Sequence, residues 1–111
     1  MNFMGWIEGR AGTGYYKFPL LKSNLLKADC WLLKYPEGSY IPEHLDPVDS
    51  GKHYRLNVVL KGAIGGTFCC KNTILNWWNG RVVLFRPDIE KHQVTPITKG
   101  QRLVLSIGWR R

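Results

Sequence analysis

Apolar residues along most of this chain come in short runs, roughly four to eight residues long, in which Val, Ile, Leu and aromatic side chains alternate with polar ones. Gly, Pro and Asn interrupt the runs at short intervals, as an all-β sandwich or barrel requires. The pattern predicts about eight strands: Ala28 to Lys34, Tyr40 to Asp46, Tyr54 to Leu60, Thr67 to Lys71, Thr73 to Trp77, Arg81 to Phe85, His92 to Ile97 and Arg102 to Trp109. Breaks fall at Pro36-Glu37-Gly38, Pro47 to Gly51, Gly62 to Gly66, Asn79-Gly80, Pro87-Asp88 and Lys99-Gly100. Leu20 to Lys27 is the one stretch with the composition of a helix. Pro19 ahead of it and Ser23-Asn24 within it limit the expectation to at most one short N-terminal helix. No repeat, low-complexity tract or linker divides the chain, so residues 1–111 are read as a single domain.

Composition adds little to that picture, and charge adds one question. A chain with 44% hydrophobic and 13% aromatic residues can build a real but modest core. No run approaches the roughly 18 to 20 uninterrupted apolar residues of a membrane span. The opening MNFMGWIEGR lacks the basic start and apolar stretch of a secretory signal. Three cysteines, two of them the neighbours Cys69 and Cys70, make a poor disulfide framework and have no zinc-site spacing. The expectation is a soluble, cytoplasmic protein with no membrane partner. The net charge of +8 favours an anionic partner. Lys17, Lys22, Lys27, Lys61, Arg81 and Lys91 are scattered, however, and only Trp109-Arg110-Arg111 forms a local cluster. Nucleic acid is therefore a possible partner but not the favoured one; a small dicarboxylate would answer the charge equally well.

Candidate chemistry begins at His44-Leu45-Asp46. In an extended strand the two-residue period puts His44 and Asp46 on one face and Leu45 on the other. Both can then hold one cation, with His92, just past the Pro87-Asp88 turn, as a third ligand. Two histidines and one carboxylate on one side of a metal leave the opposite positions open, an arrangement diagnostic of non-haem iron(II) oxygenases, although zinc hydrolases also use two His and a carboxylate. By itself His-x-Asp is a weak signal. What strengthens it is Arg102, ten residues beyond His92, on a strand whose inward face carries Arg102, Val104 and Ser106. A guanidinium buried in an apolar β core needs an anionic partner, and this chain has eight carboxylate side chains in all to supply one. A bound dicarboxylate meets that need through paired, charge-assisted hydrogen bonds. Ser106 can add a hydroxyl donor, and Tyr35 and Arg55, on flanking strands, are further candidates to reach a carboxylate oxygen.

These residues resemble the 2-oxoglutarate and iron(II) dependent oxygenases, in particular the prolyl hydroxylase-like and aspartyl/asparaginyl hydroxylase-like branches, over most of the chain. YPEGSYIPEHLD, from Tyr35 to Asp46, looks like the family's Tyr-x-x-Gly lead into His-x-Asp. RLNVVLKGAIGGTF, from Arg55 to Phe68, is similar to the strand and Gly-Gly turn that follow. WNGRVVLF, from Trp78 to Phe85, resembles the strand before the distal histidine, and HQVTPITKGQR, from His92 to Arg102, resembles the His-x-Val-x-Pro and Gly-x-Arg ending in order and spacing.

The resemblance implies a double-stranded β-helix, a cupin-like jelly roll of two packed sheets with the metal in its open mouth. It implies iron(II) held by His44, Asp46 and His92, with 2-oxoglutarate as cosubstrate and O2 as oxidant. Arg102 would grip the far carboxylate, helped by Tyr35, and Arg55 matches an Arg of the aspartyl/asparaginyl branch that makes a cosubstrate contact possible there as well. The implied activity is hydroxylation of a C–H bond, with a protein or peptide side chain as the favoured substrate. A free small molecule, a nucleotide or nucleic acid, and a non-catalytic jelly-roll binding module are the alternatives. Nucleic-acid demethylases of the superfamily carry a second Arg in an Arg-x-Asn-x-Thr-x-Arg pattern, where this chain has Gly108, and that disfavours demethylation.

Overall fold

The alternation from Arg102 onward becomes the spine of the molecule. In the computed structural model, which describes residues 2–3, 6–9 and 13–111, Arg102, Val104, Ser106 and Gly108 are buried on one face of a nine-residue strand, and Leu103, Leu105, Ile107 and Trp109 lie on the other. The described residues form β1 (Asn2–Phe3), β2 (Trp6–Glu8), β3 (Tyr16–Ser23), β4 (Ala28–Tyr35), β5 (Ile41–His44), β6 (His53–Lys61), β7 (Ile64–Gly65), β8 (Phe68–Cys70), β9 (Leu75–Trp77), β10 (Val82–Phe85), β11 (His92–Val94), β12 (Ile97–Lys99) and β13 (Arg102–Arg110). Every pairing among them is antiparallel.

Eight strands make a large sheet in the order β1-β2-β3-β4-β13-β6-β10-β9. Facing it are a three-stranded sheet, β5-β11-β8, and the pair β12-β7. Tyr35 and Val104 from the large sheet meet Val94 and Ile97 from the facing side, and Leu33, Val59, Ile41 and Phe68 pack around them. Phe85 from β10 closes the layer against Phe68, with ring centroids 4.9 Å apart. Val104 and Phe85 are each 1% exposed, so each contributes about 1.5–3 kcal/mol of burial to holding the two layers together. The architecture is all-β, as the strand pattern predicts, and is the jelly roll that the resemblance implies.

Strands β1, β2, β3 and β7 are not among those expected, and three further details differ. Residues 20–23, expected to be helical, continue β3, and 24–27 form a turn in which Lys27 has φ 51°. Leu20, Leu21, Leu25 and Leu26 have helix-like spacing, but pairing of β3 with β4 from Tyr16↔Lys34 to Ser23↔Ala28 outweighs local propensity. A register shift between Pro19 and Leu21 accommodates the proline, which cannot donate to the ladder. No helix occurs among the described residues, and so none is long and apolar enough to cross a membrane. His92 to Ile97 divides into β11 and β12 around Thr95-Pro96. Finally, β5 ends at His44, leaving Asp46 beyond the ladder. Pro47 keeps Asp46 extended, and the Asp46 amide donates to the Pro87 carbonyl at 2.8 Å.

Candidate metal centre

His44 and His92 are direct register partners across β5 and β11, with imidazole centroids 4.2 Å apart. Asp46 Oδ2 lies 3.2 Å from His92 Nε2 and 3.5 Å from His44 Nε2. The three donor atoms all fall within 4.8 Å of one another. Ligands at right angles about an ion, each at ~2.1 Å, stand about 3.0 Å apart; the two separations from Asp46 are near that value, and the three residues would fit around one ion.

Main-chain hydrogen bonds set the ring orientations. His44 Nδ1 is 2.8 Å from the Pro42 carbonyl and His92 Nδ1 is 2.9 Å from the Glu90 carbonyl. In each ring Nδ1–H donates to that carbonyl, which leaves the Nε2 lone pair for a metal. Burial alone would raise the Asp46 carboxyl, but hydrogen bonds and charge from His44 and His92 hold it well below the usual carboxylate range. Without protons on Nε2, the two imidazoles and the carboxylate would bring two nitrogen lone pairs and an anion to one point. Such a cluster requires a proton or a cation at its centre, and its N2O donor set suits iron(II).

The turn ahead of His92 is braced. Arg86 Nε donates to Asp88 Oδ1 at 3.2 Å, and Asp88 also accepts the His53 backbone N–H. Phe85 lies edge-on to His92 with centroids 5.1 Å apart. Strand β10 therefore supports the distal ligand through its ring and the turn after it.

All seven residues nominated from the sequence, Tyr35, His44, Asp46, Arg55, His92, Arg102 and Ser106, line one cavity of about 450 Å³. They fall into distinct groups within it. Arg102 is 6% exposed and lies 5.0 Å over the Tyr35 ring. Burial lowers its pKa from the usual arginine value, against the pull of Tyr35, and burial pushes the Tyr35 hydroxyl up. Among the described residues no carboxylate lies within ion-pairing distance of Arg102. Room for its stem comes from Gly66, whose φ is +66°; a Cβ there would sit 2.1 Å from Ile97 Cδ1 and 3.2 Å from Arg102 Cδ.

Ser106 and Arg55 belong to a second group. Ser106 lies four positions beyond Arg102 along β13, about 13 Å at a strand's rise. Arg55 donates to Ser106 Oγ at 2.8 Å and to both Asp29 oxygens at 2.9 and 3.2 Å, while Ser106 donates to Asn57 Oδ1 at 2.6 Å. The guanidinium lies over Gly108, where a Cβ would come within 2.2 Å of Arg55 Nη2. The structure thus joins Arg55 to Ser106 and leaves neither beside Arg102. Asp29, Asn57 and His53, which approaches Arg55 at 3.4 Å, were not anticipated. The available signal for Asp29 was an acid on the inward-facing phase of the apolar run ADCWLLKY.

No family model and no curated protein matches the sequence. Solved structures do resemble the fold. A prolyl-4-hydroxylase from Pseudomonas putida aligns over 76% of this chain and 51% of its own, with a TM-score of 0.61 and 23% identity. The chain has the jelly-roll fold of the cupins. A cupin-2 domain from Rhodospirillum rubrum covers all of this chain and 75% of its own at a TM-score of 0.61 and 13% identity. The viral collagen prolyl hydroxylase of Paramecium Bursaria Chlorella virus-1, solved with 2OG, covers 88% of this chain and 80% of its own at 0.61 and 16% identity. At these identities the likeness is one of fold, and the chain spans about half the length of the bacterial prolyl-4-hydroxylase.

Proposed function

We propose that this protein is an iron(II)- and 2-oxoglutarate-dependent dioxygenase that hydroxylates a C–H bond, most favourably of a protein or peptide side chain. The observation that carries the reading is Arg102: a buried guanidinium with no carboxylate partner among the described residues, opening into the cavity that holds the His44, Asp46 and His92 donors. A dicarboxylate whose far end pairs with Arg102 neutralises that charge where water does not reach it. Tyr35 fixes the guanidinium plane and offers its own hydroxyl to the same carboxylate. His44, Asp46 and His92 hold the metal from one side and leave the opposite positions to ligands. Iron(II) and 2-oxoglutarate, when bound, supply the oxidation: the keto acid loses CO2, one oxygen atom of O2 enters succinate and the other enters the substrate C–H bond. The protein's part is to orient the keto acid by its far end, to exclude water around Arg102 and to keep both imidazoles in the metal-binding tautomer.

Likeness to a cupin-2 domain at the same TM-score supports a second reading, a metal-holding jelly roll without turnover. Anaerobic addition of iron(II) and 2-oxoglutarate separates the two. The oxygenase reading expects a visible charge-transfer band, and succinate once oxygen is admitted, even without substrate. A protein that binds iron yet shows neither band nor succinate is the binding module.

A further inference from the structure

Strand β13 inverts the usual rule for a sheet with one wet face. Its inward side carries Arg102, Ser106 and Gly108 beside Val104, whereas its outward side carries Leu103, Leu105, Ile107 and Trp109. The register extends this outward side across the sheet. One continuous cross-strand row runs Phe18, Leu32, Leu105, Val58, Val82, Trp77, and the next runs Leu21, Cys30, Ile107, Leu56, Leu84, Leu75. Twelve apolar residues on six adjacent strands thus form an uninterrupted two-row field, and none of the twelve is buried. Antiparallel sheets with one face in water alternate apolar and polar residues; a sheet apolar on this side is built to be covered.

The field is about 24 Å across five inter-strand gaps, and Leu103 to Trp109 spans about 20 Å along the strand. The field's projected area, about 480 Å², is a floor for the accessible area of its side chains, against the ~800 Å² each partner gives up in a standard interface.

We infer that this face is the interface of a two-fold homodimer, the large sheets of two copies packed face to face. Charge distribution selects the occupant. The two rows hold no charge, so they offer nothing to phosphates, and nucleic acid is excluded from the field despite the net charge of +8. Two lysines, Lys34 and Lys61, flank Leu103 at one border. At the opposite border Tyr54 stacks on Trp109 with centroids 5.9 Å apart, and Arg86, ion-paired with Asp88, lies 5.6 Å over the Tyr54 ring. A two-fold axis running across the strands sets each copy's lysine border over the other's aromatic border and each row over its neighbour. Each lysine border then meets the partner copy's Trp109, a cation–ring contact the chain already makes within itself where Lys34 lies 5.3 Å over Trp6. Apolar meets apolar in the middle, at the usual sheet separation of about 10 Å.

The test is sedimentation velocity of the 111-residue chain from low micromolar to several hundred micromolar. A species of twice 12.8 kDa is expected, and Leu105→Lys should weaken it about a hundredfold while far-UV circular dichroism stays unchanged. If Leu105→Lys does not fold, Cys30 reports instead. In a Cys69→Ser/Cys70→Ser background its maleimide labelling should slow as protein concentration rises. A monomer at every concentration, including one that sediments with phosphatidylcholine vesicles, overturns the proposal. So does a dimer that survives a folded Leu105→Lys, or a Cys30 labelling rate independent of concentration.

Discussion

Arg102 and Arg55 both project from the inner face of the large sheet into one cavity, and they differ in what answers their charge. Arg55 donates through Nη2 to both Asp29 oxygens and through Nη1 to Ser106. Arg102 has a phenol and no carboxylate among the described residues. A desolvated guanidinium costs free energy until an anion arrives, so the second arrangement makes sense as half of a binding site, whereas the first is complete. The pair teaches that the role of a buried arginine is read from what its surroundings leave unanswered.

The largest effect expected is at the metal. His92→Ala, like His44→Ala or Asp46→Ala, should abolish iron binding, measured by calorimetric titration, along with 2-oxoglutarate turnover. Arg102→Met should raise the 2-oxoglutarate concentration needed for half-maximal succinate formation about a hundredfold or more, through loss of a buried charge pair. It should also leave the ligand-free protein as stable as before or more so, because an uncompensated charge is gone. Added 2-oxoglutarate should raise the Tm of the iron-loaded wild type and not that of Arg102→Met. The contrasting substitution is Arg55→Met. Its ion pair is 17% and 28% exposed, so the full cost of breaking a buried pair is discounted to about 2 kcal/mol, a fall in Tm on the order of 10 °C, with the 2-oxoglutarate requirement unchanged. Should Arg55→Met instead mimic Arg102→Met, the division of roles between the two arginines is wrong. Tyr35→Phe should have the smallest effect, raising the 2-oxoglutarate requirement about three- to tenfold for one lost hydrogen bond.

Much of this was legible in residue order because the relevant periods are short. Alternation over Arg102, Val104 and Ser106 gave the inward face of β13 directly, and proximity along the chain tied His44 to Asp46. Two things were not legible. The pairing of Arg55 with Asp29 depends on β4 and β6 both bordering β13, at the rung where Gly108 faces Asp29 and Arg55; nothing local signals a contact between residues 26 apart. The leucines of residues 20–26 carried a helical spacing that strand pairing overrode. Local pattern reports which face a residue occupies, and only topology reports what it faces.

The hydrogen bonds that orient the two imidazoles end on the carbonyls of Pro42 and Glu90, each two residues before its histidine. Carbonyl acceptors are supplied by every amino acid. Drift at positions 42 and 90 therefore cannot delete the support of the ligands as long as the chain follows the same path. A lineage of such proteins could change nearly every residue around the metal, down to the identities seen among its structural likenesses, and still inherit a site with the same tautomers.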